Sequence, residues 1–208
     1  MDAPRGPGSR TDAPRDARDR TDAPPGTGQI ATREIPTFTA IALTTRGPYW
    51  KLSGALTRLK VRLVEVGIEP RGPAFGIFYD DPSEVPPEQT RYSICFPIER
   101  PASDRSEHPL GPPTALPPAE TALGSPNSVD AISLVNVPAT PAAVVEYKGP
   151  AVDSPRVYEH VLSWIAENAY EPSGPPRERY LAEPGTLGGG LMHVEVVQPL
   201  VSVTALGG

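Results

Sequence analysis

The sequence predicts an α+β fold built from two tandem strand-helix-strand-strand modules related by a pseudo-two-fold axis. The strands are expected in an antiparallel sheet, with the helices on one face and a cleft at the junction. Three observations predict it. The first is a duplication: a shift of 102 residues carries Glu69-Pro70-Arg71-Gly72-Pro73 onto Glu171-Pro172-Ser173-Gly174-Pro175. The same shift pairs Pro36 with Pro138, Gly47-Pro48 with Gly149-Pro150, Glu65 with Glu167, Pro82 with Pro184 and Pro97 with Pro199. Between residues 35 and 98 proline meets proline six times, where accident gives roughly one match. The second observation is one stretch of helical periodicity in each copy. The third is a set of short alternating segments, bounded by Gly and Pro, before and after each helix.

Residues 30–46 read as strand, bent at Pro36 and ended by Gly47-Pro48. From Tyr49 to Val66 the apolar residues Leu52, Ala55, Leu56, Leu59, Leu63 and Val66 recur at three- and four-residue steps, which predicts a helix. Gly67 stands where a C-terminal cap belongs. Phe75–Tyr79 and Tyr92–Phe96 read as strands, and Asp80-Asp81-Pro82 begins the loop between them. In the second copy, 130–137 and 143–147 are strand-like with a bend at Pro138. A helix follows from about Ser154 to Asn168, with Ser154 as N-cap and Pro155 at the first helical position. Its buried face is Val157, Tyr158, Val161, Leu162 and Ile165. Strands at 177–182 and 191–198 follow, joined through Gly188-Gly189-Gly190. That glycine run lacks the Lys-Ser/Thr ending of a phosphate loop and joins two strands.

The modules are expected at about 30–98 and 129–200, within a domain spanning 30–208. Residues 1–29 repeat Asp-Ala-Pro at ten-residue spacing and hold five Arg and five Asp. They cannot bury enough apolar surface to offset their ordering entropy, so a disordered tail is expected. Residues 99–128 carry seven prolines and read as a linker.

A hydrophobic content of 38% in 208 residues suffices for one compact domain or two small modules sharing a core. The net charge of −6, with no basic stripe, argues against nucleic acid and anionic membranes as main partners. One cysteine, Cys95, excludes an internal disulfide, and three scattered histidines give no zinc spacing. No cofactor or metal is expected. With no apolar run of spanning length and no secretion signal, a cytoplasmic location is expected.

One position breaks the pattern in a telling way: Glu178 stands where the first copy has Gly76. Alternation puts Arg177, Arg179 and Leu181 on one face of their strand and Glu178 and Tyr180 on the other. Placing two unpaired arginines toward solvent turns Glu178 and Tyr180 toward the helices. Gly76 and Phe78, Tyr92, Ile94 and Phe96, Val194 and Val196, and Val145 and Tyr147 follow them inward. An inward carboxylate is expensive unless it is paired or hydrogen-bonded. Two readings stay open: a counter-ion or acid/base group in a pocket, or a salt bridge from Glu178 to a nearby arginine. Trp164 and Tyr49 either line the cleft or pack helix on sheet. His193 is expected on the solvated face.

At Gly47-Pro48-Tyr49, Gly72-Pro73, Gly76 to Pro82, Pro97-Ile98, Gly149-Pro150, Trp164, Gly174-Pro175, Arg177 to Tyr180 and Pro199-Leu200 the chain resembles the GyrI-like effector-binding family. That family includes the drug-binding domain of multidrug-responsive transcription regulators. The resemblance implies two strand-helix-strand-strand modules around a shared cleft. It puts Glu178 at the cleft floor as counter-ion to lipophilic, often cationic aromatic compounds. Tyr180, Tyr147, Trp164, Tyr49, Phe78 and Tyr92 complete the implied ligand-binding set. Some relatives are hydrolases that open strained, electrophilic natural products, which would make Glu178 an acid/base. Others inhibit DNA gyrase. The regulators carry a helix-turn-helix segment that is not seen here, so a stand-alone module for sequestration or sensing is expected. A homodimer is compatible with the sequence.

Overall fold

The computed structural model describes residues 23–99 and 131–203. Most of the expected tail, and the linker from residue 100 onward, lie outside the described residues. The first copy comprises β1 (Ala31–Ile35), β2 (Phe38–Arg46), α1 (Leu52–Glu65), β3 (Phe75–Phe78) and β4 (Arg91–Ile98). The second comprises β5 (Ala131–Val137), β6 (Thr140–Pro150), α2 (Ser154–Glu167), β7 (Tyr170–Pro172), β8 (Arg177–Tyr180) and β9 (Leu191–Ser202). The two-module plan and the antiparallel pairing are as the duplication predicts. The sheet runs β1-β6-β9-β8-β3-β4-β2-β5, with β7 on β9.

The register fixes where the pseudo-dyad lies. β3 and β8 pair Phe75 with Arg179, Gly76 with Glu178 and Ile77 with Arg177. Gly76 and Glu178 are twin positions, so the axis passes between them. The residue that breaks the duplication therefore faces its own counterpart.

The first strand of each copy departs from the expected plan. β1 and β2 do not continue as one bent strand; β1 crosses to β6 of the other module, and β5 crosses to β2. The exchange is symmetric: Thr32 pairs with Ala143, and its twin pair is Leu134 with Ile41. Only Pro36 and Thr37 join β1 to β2, six strand spacings away along the sheet. A flat sheet would hold these strands about 29 Å apart, and a two-residue link reaches about 10 Å. The sheet must therefore curl until its ends meet. The backbone N–H of Ala139 donates to Thr37 Oγ1 at 2.9 Å, tying the two links together at twin positions.

The helices cover the convex face. Leu52, Leu56, Leu59 and Leu63 of α1 and Val157, Val161 and Ile165 of α2 share one core with Tyr92, Ile94, Val145, Val194 and Val196. The curl turns the opposite face inward, where Ala42, Phe75, Ile77 and Cys95 are buried. This corrects the expected exposure of Arg177. It is only 6% exposed, and its Nε lacks a partner among the described residues. Arg179 does reach the surface, but it is not unpaired, because its Nη2 lies 2.8 Å from Glu195 Oε2. His193 is half-buried and meets Glu146 at 2.7 Å.

Two further details differ from expectation. Residues of the expected tail are held from Pro24 onward, through Lys148 N–H to Gly26 O at 2.9 Å and Gly28 N–H to Glu146 O at 2.7 Å. Ser154 does not cap α2; a 3-10 turn, Ala151–Asp153, leads into the helix with no side-chain cap. Both helices are preceded by such a turn, which already satisfies some first-turn amides.

Helix α1 ends as predicted at Gly67, with φ +69° and bonds from Gly67 N–H to Val64 O and Ile68 N–H to Leu63 O. Its twin, Ala169, holds the same left-handed conformation at φ +58°. A Cβ there costs about 1 kcal/mol. Ala169→Gly is thus expected to raise stability by roughly 0.5–1 kcal/mol, measured by urea unfolding with an unchanged slope.

Candidate functional site

Glu178 sits in the middle of β8, across the dyad from Gly76, on the helix side. It is 7% exposed. Tyr158, on the inner face of α2, donates its hydroxyl to Glu178 Oε1 at 2.9 Å. That is its only hydrogen-bond partner among the described residues, and no ion pair there involves it. The flanking arginines, Arg177 and Arg179, lie on the other face of the sheet. Burial pushes the carboxyl up from 4.5 to about 7, against the smaller opposing pull of the Tyr158 hydrogen bond. Burial and the neighbouring carboxylate hold the Tyr158 and Tyr180 hydroxyls well above their usual range.

Aromatic side chains from both copies surround this acid. Tyr180 lies two residues along β8 on the same face and is 5% exposed. A side chain at Gly76 would begin 2.5 Å from the Tyr180 hydroxyl and 2.9 Å from Phe78 Cζ. Tyr180 can therefore reach across the dyad only because its neighbour strand carries glycine. Phe78 meets Tyr49 edge-on at 4.9 Å, and Tyr49 meets Tyr92 at 5.6 Å. The Tyr49 hydroxyl donates to Asp80 O at 2.7 Å. The Asp80 carboxylate accepts from Arg91 Nε at 2.9 Å, Nη2 at 2.7 Å and the Arg91 backbone N–H at 2.7 Å. Asp81 accepts from Ser83 N–H at 2.8 Å. The Tyr79-Asp80-Asp81-Pro82 stretch thus locks the β3–β4 end and aims Tyr49.

Gly76→Ala is expected to destabilise the fold by about 1–3 kcal/mol, as over-packing does. It should also displace Tyr180, visible as a changed tyrosine fluorescence in the folded variant. An unchanged spectrum and stability would contradict this placement.

The remaining expected site residues lie elsewhere. Trp164 stacks on Tyr170 of β7, at 6.2 Å and 10°. Tyr147 is fully buried and donates to Pro150 O at 2.8 Å. A Cβ at Gly149 would meet its hydroxyl at 2.4 Å. The offset carries Tyr147 to Thr45, and there the first copy is open. A hollow of about 610 Å³ is lined by Thr45, Gly47, Trp50, Lys51, Arg58 and Tyr92. Tyr147 fills the corresponding space in the second copy. Tyr92 lines this hollow and Glu178 does not.

Tyr158 is the site residue that the sequence reading placed in the helix core alone. A signal existed: its twin is Leu56, so a phenol replaces an aliphatic side chain in the same copy that replaces glycine by glutamate. Among the described residues no group of three His, Cys, Asp or Glu is arranged to hold a metal ion. No described helix is long and apolar enough to cross a membrane.

The class that this doubled sheet defines is a duplicated α+β domain. Within it, the chain belongs to the GyrI-like family, matching the GyrI-like small molecule binding domain over residues 28–196. Its fold is similar to the EcmrR C-terminal domain, at 17% identity and a TM-score of 0.59, covering 84% of this chain and 98% of that one. It is similar to EcmrR in a DNA complex at 16% and 0.64, covering 86% of this chain but 59% of that longer one. SAV2435, solved bound to tetraphenylphosphonium, matches at 12% and 0.50, covering 86% and 98%. A hydrolase encoded by lin2189 from Listeria innocua matches at 11% and 0.50, covering 83% and 92%. No curated protein matches by sequence. At these identities the structural likeness is one of fold.

Proposed function

We propose that this chain captures lipophilic organic cations between its two modules, with Glu178 as the counter-ion. The observation that carries this reading is the carboxylate itself: buried, with no cationic partner among the described residues, and supported by a single tyrosine hydroxyl. Such a group is costly to a fold that does not use it. A delocalised cation sheds its hydration cheaply and restores the missing charge. Tyr180, Tyr49, Phe78 and Tyr92 add stacking and cation–π contacts worth about 0.5–2 kcal/mol each. In this reading Tyr92, which lines the hollow of the first copy, turns aside to admit the cation. The tetraphenylphosphonium bound by SAV2435, a neighbour in fold, is a ligand of this class.

The test is selectivity. Glu178→Gln is expected to weaken tetraphenylphosphonium by about 10- to 100-fold, as loss of a desolvated charge pair does. The neutral isostere tetraphenylmethane should bind as before. Equal losses for both would assign Glu178 a packing role.

One observation favours a second reading on the same residues. A carboxyl titrating near 7 beside tyrosine hydroxyls is suited to general acid–base work. An enzyme would show turnover of an electrophilic substrate that Glu178→Gln abolishes while ligand binding persists.

A further inference from the structure

Two oxygens in the buried site lack hydrogen-bond partners among the described residues. Glu178 uses only Oε1, toward Tyr158. The Tyr180 hydroxyl is fully enclosed and has no hydrogen-bond partner among the described residues. The two belong together. Tyr180 shares its strand face with Glu178, and its hydroxyl lies over Gly76, the residue paired with Glu178 across the dyad. Phe78 lies beside this hydroxyl over Gly76, and the Tyr158 hydroxyl is already committed to Glu178 Oε1. The Tyr49 hydroxyl is already committed to Asp80 O.

An orphaned hydroxyl in an apolar setting is a standing cost that a well-chosen ligand removes. A fully substituted onium ion satisfies the charge of Glu178 but has no hydrogen to donate, so Tyr180 stays orphaned. A cation with two N–H groups satisfies both oxygens at once. Resting on the counter-ion reading above, we propose that the ligand is a lipophilic ammonium or amidinium with at least two N–H donors, one for Glu178 and one for Tyr180. Tyr180 is then the residue that selects protonated amines over quaternary ions, and Gly76 is what admits its hydroxyl to that position.

The experiment compares dibenzylammonium with dibenzyldimethylammonium, which share a framework and a charge but differ in N–H donors. Titration calorimetry is done near pH 7.5 on the whole chain, its Tyr180→Phe variant and its Glu178→Gln variant. Tyr180→Phe removes only an unsatisfied hydroxyl and is expected to fold. The unsubstituted chain should bind dibenzylammonium at least about tenfold tighter, the scale of a hydrogen bond to a charged group. Tyr180→Phe should collapse that ratio toward one, and should bind the quaternary ion as well as or better than the parent chain. Binding of both ions with a ratio near one, or a ratio that Tyr180→Phe leaves unchanged, overturns the inference and leaves the counter-ion reading standing. If neither ion binds, or Glu178→Gln leaves both affinities unchanged, the counter-ion reading fails and takes the inference with it.

Discussion

A permanently charged lipophilic cation is expected to lose about tenfold in affinity for each pH unit below about 7, and to bind independently of pH above it. The cause is competition with a proton. Burial holds the Glu178 carboxyl at about 7, so below that pH the site is neutral and the cation must displace a proton. From the plateau above pH 7 down to pH 5 the loss is about 100-fold. The sign follows from which effect wins: the Tyr158 hydrogen bond favours the charged form, but burial is the larger cause and opposes it. A neutral isostere of the same shape should show no such slope, and neither should Glu178→Gln with either ligand. A flat profile for the cation in the unsubstituted chain would mean that Glu178 is ionised throughout or is not its partner.

The second large effect is on stability, and it runs opposite to function. A carboxyl whose folded pKa lies above its unfolded value favours the folded state only where both states carry the proton. That contribution is full below about 4.5 and is lost as pH rises to about 7. The difference in pKa corresponds to ~3 kcal/mol. Glu178→Gln keeps an acceptor for Tyr158 and removes the buried charge. It is therefore expected to be more stable than the parent by ~3 kcal/mol at pH 8, roughly 5–10 °C in Tm. At pH 4.5 the two proteins should melt together. Melting curves across this range check it; a variant less stable at pH 8 would show that Glu178 holds the fold together instead of straining it.

The sequence carried some of this and not the rest, for physical reasons. Period-2 alternation placed Glu178, Tyr180, Phe78 and Tyr92 on the helix side, because a strand has only two faces. Repetition at 102 residues set Glu178 against the glycine of the other copy. Alternation does not say which strand lies next door, so the exchange of β1 and β5 between modules was not legible, nor was the curl that follows from it. That curl is why Arg177 is enclosed where an open face was expected. Tyr158 was legible as a buried helical residue but not as the partner of Glu178, since helical periodicity fixes a face and not the side chain opposite. Trp164 and Tyr147 show the converse: inward and aromatic, yet committed to Tyr170 and to Pro150.

The most direct measurement is infrared difference spectroscopy at pH 6, with tetraphenylphosphonium added to the parent chain and to Glu178→Gln. The parent should show a protonated-carboxyl band that disappears as the cation binds, replaced by carboxylate absorption, and the variant should show neither change. Saturating binding with the acid band untouched would contradict the account, because the cation would then be held without Glu178 giving up its proton.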